Sequence, residues 1–235
     1  MNPPPTSRPL LSVVVPVHNE ADLIPTALPR LVAEVTAIDP SAQVIVVENG
    51  STDATAALAR RHGGDRVEVL QLDEPDYGNA QREGFLHAHG EWVVSFDIDY
   101  FSGAFLEKVM SVADRSDLVI ASKRDPESDD RRPPLRRFAT FVFNLLLRML
   151  LHSKVSDTHG IKAFRAEIVS EVAPKVVSRR DLFDTELVIR SERAGYRIVE
   201  VPVVIEELRP ARSSLLARVP RTLRGMWEIR RLLAS

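Results

Sequence analysis

The amino-acid sequence predicts an α/β protein with a mostly parallel central sheet flanked by helices, and three observations predict it. Short β-branched runs alternate with helical patterns of about 10–15 residues, the signature of βαβ units. The polar clusters His18-Asn19-Glu20, Glu48-Asn49-Gly50 and Asp97-Ile98-Asp99 stand where three of those runs end, and open parallel sheets bind ligands beyond the carboxyl ends of their strands. The 235 residues are 44% hydrophobic, which supports a substantial core, and no linker divides them.

In chain order, Leu10 to Val17 (LLSVVVPV) reads as a buried strand. A helix over Glu20 to Ala37 follows, with apolar positions at Leu23, Ile24, Leu28, Leu31, Val32 and Val35. Gln43 to Val47 is a second strand; Ser51 or Thr52 then caps a helix over Asp53 to His62. Val67 to Leu72 is a third strand, Asn79 to His89 a helix closed by Gly90, and Trp92 to Phe96 a fourth strand. Beyond it come a strand at Leu118 to Ala121, a charged segment from Ser122 to Arg137 and the apolar stretch Phe138 to Leu151. Asp157 to Arg165 is a turn with an extended piece, and Asp184 to Ala194 is a helix. Tyr196 to Ile205 is an edge strand, because it holds Pro202. A basic helix over Leu215 to Leu233, interrupted at Pro220, comes last.

Composition removes several classes of function. Without cysteine there are no disulfides or thiolate metal sites, which fits a reducing cytoplasm. A formal net charge of −2 argues against a globally basic nucleic-acid binder. Residues 1–9 lack the apolar core of a signal peptide and are expected to be disordered. No apolar run reaches the roughly 20 residues that span a bilayer. The chain is therefore expected to be cytoplasmic, soluble or attached at most to a membrane surface. There is no P-loop, GxGxxG or Ser-His-Asp pattern.

The most telling feature is Asp97-Ile98-Asp99. Aspartates at i and i+2 where a buried strand ends hold a divalent cation against a diphosphate, and oxygen ligands suit Mg²⁺ or Mn²⁺. A plain solvated turn has the same spacing, so the place in the chain carries more weight than the pair itself.

Several segments resemble, in this order, the family 2 glycosyltransferases. They are VVVPVHNEADLI (13–24), VIVVENGSTDAT (44–55), GNAQREGF (78–85), DID (97–99), SKR (122–124), SDTHGIKAFR (156–165) and FDTELVIRSERAGYRIVEVPV (183–203), with Arg209 and Ser213. The chain is most similar to the dolichyl- or polyprenyl-phosphate mannosyl- and glucosyltransferases. The resemblance implies the GT-A nucleotide-diphospho-sugar transferase fold over residues 10–212, followed by a basic amphipathic helix over 213–235. It implies inverting transfer of mannose or glucose from a GDP- or UDP-hexose to a polyprenyl or dolichyl phosphate, with Mg²⁺ or Mn²⁺. Nucleic acid is not an expected partner; a membrane surface is, and the oligomeric state stays open. Two alternatives remain: transfer to a soluble small-molecule or glycan hydroxyl, and a non-catalytic membrane-docking module. The second is motivated by Tyr100-Phe101 standing where relatives carry Leu-Gln or Leu-Ser. Relatives also carry two aspartates at Glu48-Asn49, and Ser-Lys at Ser213-Ser214.

The resemblance also distributes roles. Asp99 is the expected direct metal ligand, with Asp97 on the metal or the ribose beside Ile98. Pro16, Val17, Asn19 and Glu20 form one wall of the nucleotide pocket, Glu48 reads the base, and Gly78 and Arg82 approach the donor. On the acceptor side, Lys123, Arg124, Arg136 and Arg209 hold phosphate, since arginine forks match phosphate oxygens. Asp184 orients a sugar hydroxyl or acts as base for a hydroxyl acceptor. A phosphomonoester is already anionic near neutral pH, its second pKa being about 6, so it needs alignment and charge screening more than a base. Phe138 to Leu151 and the basic tail are read as membrane-facing segments, with a buried core or oligomer helix as the plainer alternative.

Overall fold

The computed structural model describes residues 8–122, 129–130, 134–151, 153–155, 158, 160–178, 182–205 and 215–233, with 129–130, 134–136, 138–140, 204–205 and 215–222 described by backbone alone. In order the elements are β1 (Leu11–Val17), α1 (Ile24–Ile38), β2 (Gln43–Asn49), α2 (Thr55–Gly63), β3 (Val67–Leu72), α3 (Tyr77–His87), β4 (Trp92–Ser95) and α4 (Gly103–Ser111). They continue with β5 (Leu118–Ser122), β6 (Asp129–Asp130), α5 (Pro134–Leu151), β7 (Lys162–Arg165), α6 (Ala166–Glu171), α7 (Phe183–Arg193), β8 (Ile198–Pro202), β9 (Val204–Ile205) and α8 (Leu215–Leu232).

Seven strands form one sheet in the order β3-β2-β1-β4-β7-β5-β8, and β6 pairs with β9. β7 runs antiparallel to both its neighbours; the other six strands are parallel to one another. All seven residues of β1 are buried. That explains why it reads as a continuous apolar run: a strand covered on both faces has no solvent side to alternate with. Val13, Val15 and Val17 face α1, α2 and α4 through Leu28, Leu31, Ala59, Phe105 and Leu106. Val14, Ile45, Val47 and Phe164 face α3, α6 and α7 through Ala80, Phe85, Ile168, Phe183 and Leu187. Each such fully buried side chain is worth about 1.5–3 kcal/mol relative to exposure, so the two apolar layers hold the sheet between them. A third cluster joins α5, α7 and α8 through Leu147, Leu151, Leu182, Ile189, Met226 and Ile229.

The element boundaries depart from expectation for local reasons. α1 starts at Ile24 and not Glu20, with proline in its first turn, where a missing N–H costs nothing. Ser51 and Thr52 do not cap α2: its N-cap is Ala54, with no side-chain cap. α3 begins two residues before Asn79, because the Asp76 carboxylate accepts from the Asn79 amide at 3.1 Å. Gly90 is not its C-cap; the helix ends at His87. A Cβ at Gly90 would run into the backbone of Leu11 and Ser12, so glycine is needed there for close approach. α8 is unbroken from Leu215 to Leu232, so Pro220 does not interrupt it. β8 lies at the sheet edge as Pro202 demands. α4 is a helix beyond those expected; Phe105, Leu106 and Val109 are spaced for it, and Ser102 Oγ accepts from the Phe105 amide at 3.2 Å.

α3 sits tightly on β1 and β2 at Gly84, where a Cβ would run into Val14 Cγ1 and lie 3.0 Å from Val47 Cγ2. Overpacking a filled core costs about 1–3 kcal/mol. Gly84→Ala is therefore expected to lower unfolding free energy by roughly 2 kcal/mol despite alanine's better helix propensity, read from the urea midpoint at unchanged m-value.

Candidate active site

The strand register sets the site before any side chain is considered. Val17 of β1 stands opposite Glu48 of β2, and Val14 opposite Ser95 of β4. Neighbouring strands are about 4.8 Å apart, so the segments leaving β2, β1 and β4 meet at one rim within about 10 Å. His18-Asn19-Glu20, Glu48-Asn49-Gly50 and Asp97-Ile98-Asp99 therefore share an edge. β7, being antiparallel, brings its first residue, Lys162, to that same edge, opposite Ser95 on one side and Ile120 on the other.

Short polar side chains tie the first two segments together. Asn19 has φ +54°, a left-handed conformation that Asn tolerates better than most residues. Its amide N–H donates to Ser51 Oγ at 2.9 Å, and its Oδ1 accepts from the Thr52 N–H at 2.9 Å. The Glu20 N–H donates to Thr55 Oγ1 at 2.8 Å. His18 Nδ1 lies 2.8 Å from the Asn49 carbonyl and its Nε2 3.1 Å from Asn19 Nδ2. Asn49 Oδ1 accepts from the Asp76 N–H at 2.8 Å, which extends the lacing to α3. The hydroxyls expected to cap α2 cross-link two loops instead. Burial works against the charge of Asp53, but the Thr55 hydroxyl and the amides of Thr55 and Ala21 outweigh it and hold its pKa below the usual value.

The second cluster spans β4, β7, α3 and α7. Lys162 is fully buried and donates to Asp184 Oδ2 at 3.1 Å and to the Gly160 carbonyl at 2.6 Å. Asp184 is 5% exposed, and its Oδ1 has no hydrogen-bond partner among the described residues. Gln81 Nε2 donates to Ser95 Oγ at 2.7 Å and to the Tyr77 hydroxyl at 2.9 Å. Tyr77 is half-buried, and the Asp184 and Asp97 carboxylates are close enough to act on its hydroxyl. Burial first, and then those two carboxylates, push the phenol's pKa well above its usual value; the Gln81 bond only moderates this. Tyr77 stays protonated, a neutral donor between two acids.

Of the residues assigned from sequence, Pro16 and Val17 are buried in β1, and Gly78 is buried in the first turn of α3. Glu48 is 1% exposed, and its Oε1 accepts from the Ser51 N–H at 2.5 Å, so at least one oxygen serves its own turn. Ile98 is buried, Asp97 half-buried and Asp99 exposed. The backbone of Asp97 and Tyr100 pairs across this turn at 3.0 and 3.3 Å. Arg82 does not turn to the donor side: its guanidinium donates to the Val176 carbonyl and packs on the Phe183 ring, 5.9 Å from the centroid. Asp184 is not a helix cap, since Leu182 holds that position. Lys123, Arg124 and Arg209 lie outside the described residues, as does the side chain of Arg136. Tyr77, Gln81 and Lys162 complete the cluster. Asp76 as N-cap was the local signal for Tyr77, because it sets α3's first turn at the rim.

Six parallel strands and one antiparallel strand, with acids gathered at the carboxyl rim, make a ligand-binding edge of an open α/β sheet. The model of the family described as "Glycosyl transferase family 2" matches residues 12–173, and the chain belongs to that family. It is a glycosyltransferase of GT-A fold. It is 31% identical over 194 residues to an uncharacterized glycosyltransferase of Mycobacterium tuberculosis, covering 82% of this chain and 84% of the relative. It is 31% identical over 215 residues to polyprenol monophosphomannose synthase of Mycolicibacterium smegmatis, covering 86% and 79%. Among solved structures, the mannosyltransferase PcManGT of Pyrobaculum calidifontis, in complex with GDP-Man and Mn²⁺, is similar at a TM-score of 0.66 and 26% identity, covering 92% of this chain and 62% of that one.

Removing one member of a buried ion pair strands the other, at about 3–5 kcal/mol. Lys162→Met is expected to cost at least about 3 kcal/mol in urea unfolding, and Lys162→Met with Asp184→Leu to recover most of it.

Proposed function

We propose that this chain transfers mannose or glucose, with inversion, from a GDP- or UDP-hexose to a polyprenyl or dolichyl phosphate. The single observation that carries this reading is the likeness to polyprenol monophosphomannose synthase over 86% of the chain, joined to the rim geometry above. Asp97 and Asp99 offer hard oxygen donors that fit Mg²⁺ or Mn²⁺, and that ion would supply Lewis-acid charge for the departing diphosphate. The Asn19–Thr52 and Glu48–Ser51 bonds hold the nucleotide loops in place before the donor arrives. Tyr77 keeps its proton between Asp97 and Asp184, and Lys162 balances Asp184 from beneath.

The acceptor half of the proposal draws on α5 and α8. Phe141, Val142, Leu145 and Met149 form an exposed apolar stripe on α5, with Met149 65% exposed. Leu223 and Trp227 are exposed on α8, and Arg231 stacks on Trp227 at 4.7 Å. Arg137, Arg148, Arg224 and Arg230 are exposed on the same two helices. Apolar side chains among arginines suit the headgroup layer of an anionic membrane, where a polyprenyl phosphate resides. Among the described residues no helix is long and apolar enough to cross a bilayer, so attachment would be peripheral.

One observation favours a second reading. The unpartnered Oδ1 of buried Asp184 suits a general base for a hydroxyl acceptor. Radiolabelled GDP-mannose and UDP-glucose, offered with Mn²⁺ and a short polyprenyl phosphate, should move label into the lipid fraction. Asp99→Ala should lower that rate roughly 100-fold, the scale of several kcal/mol of lost charge stabilisation. Asp184→Asn should leave measurable lipid transfer. Label passing only to soluble hydroxyl acceptors, and abolished by Asp184→Asn in a protein that urea unfolding shows to be still folded, would establish the second reading instead.

A further inference from the structure

We infer that His18 is a positioning residue that latches the two donor loops only as the neutral Nδ1–H tautomer, so donor binding fails in acid. The inference rests on the donor-site reading above and adds a residue and a pH dependence to it. The hydrogen bonds leave one arrangement. The Asn49 carbonyl, 2.8 Å from Nδ1, can only accept, so Nδ1 carries the proton. Asn19 cannot turn its amide over, because its Oδ1 is held by the Thr52 N–H at 2.9 Å and the Thr52 hydroxyl at 3.3 Å. The end of that amide facing His18 Nε2 at 3.1 Å is therefore the NH₂ donor. Nε2 must be bare to accept from it.

A second proton on the ring would set N–H against N–H at this contact. Asn19 is already fixed in a left-handed conformation, with its own N–H on Ser51 Oγ, so relief requires the β1–α1 loop to separate from the β2–α2 loop. Glu20 lies on the first of those loops, and Glu48 at the end of β2 just ahead of the second. The ionisable side chains on the segments packed around His18 are Glu20 and Asp22 on its own loop, Glu48 and Asp53 on the β2–α2 segment, and Asp73, Glu74 and Asp76 ahead of α3. All are carboxylates, and imidazole is the side chain whose charge changes between about pH 5 and 8. The proton is bound by the open form and excluded from the latched one. Linkage therefore makes affinity fall as pH falls, by up to about tenfold per pH unit below the titration point.

Two measurements on the full chain test this. Long-range ¹⁵N NMR at pH 8, with His18 assigned by comparison with His18→Asn, should find the Nδ1–H tautomer; an Nε2–H ring would overturn the proposal. Calorimetry with Mn²⁺ and GDP-mannose or UDP-glucose, whose diphosphate diesters gain no proton in this range, should give about tenfold weaker binding at pH 5.5 than at pH 7.5. His18→Asn, whose amide can still donate to the Asn49 carbonyl, should change less than about twofold over the same span, and an equal slope in both proteins would sink the inference. If neither nucleotide sugar binds at any pH, the donor reading falls, while the tautomer still decides the latch. Should His18→Asn fail to fold, His18 is assigned through its ring-to-backbone correlations in the wild-type protein, whose spectrum then decides.

Discussion

The buried contact between Lys162 and Asp184 is the constraint on which the rim depends. Taking an ammonium or a carboxylate out of water costs several kcal/mol per ion even after relaxation. Here the charges meet at 3.1 Å, and Lys162 gains the Gly160 carbonyl as well. A pair this deep offsets its desolvation only if neither partner moves. Lys162 is at the rim because β7 is antiparallel; the first residue of a parallel strand would lie at the opposite edge. One reversed strand thus places a fixed positive charge beneath the acids gathered by the parallel ones.

Around that pair the polar groups divide the work. On the β1–β2 side, the side chains of Ser51, Thr55, Asn19 and Asn49 bond to backbone groups of the neighbouring segment. These bonds over-determine the loop conformation, which is what lets a residue such as Asn19 persist at positive φ. On the β4–α3–α7 side, Ser95, Gln81 and Tyr77 run from the sheet to the Asp97 and Asp184 carboxylates. Both halves are held by bonds within the chain itself, and preorganisation of this kind lowers the ordering cost of binding.

Much of this was legible in the residues. LLSVVVPV, QVIVV and WVVSF announce strands buried on both faces, and the polar triplets after them announce the rim. Less legible were features that depend on partners distant in sequence. Nothing in the run Gly160-Ile161-Lys162-Ala163-Phe164-Arg165 shows that Lys162 is fully buried; Asp184, 22 residues on, receives it. Arg82 looks like a donor contact on the face of α3, but the Val176 carbonyl and the Phe183 ring take it. Ser51 and Thr52 fit a helix cap by local rules, but the neighbouring loop across the sheet competes for the same hydroxyls and wins. Gly90 fits a helix stop, and the real reason for it is the backbone of β1.

The sequence by itself determined the class of fold, the parallel order of the first strands and the chemistry at their ends. These follow from hydrophobic period and turn residues, which act over a few positions. Only the tertiary structure decided the reversal of β7, the depth of Lys162 and Asp184, and the nearness of the Tyr77 hydroxyl to two carboxylates. It also decided the tautomer that His18 must hold. Each of these is settled by a contact between residues that the chain brings together only when the sheet closes its register, and no local pattern records which partner will be there.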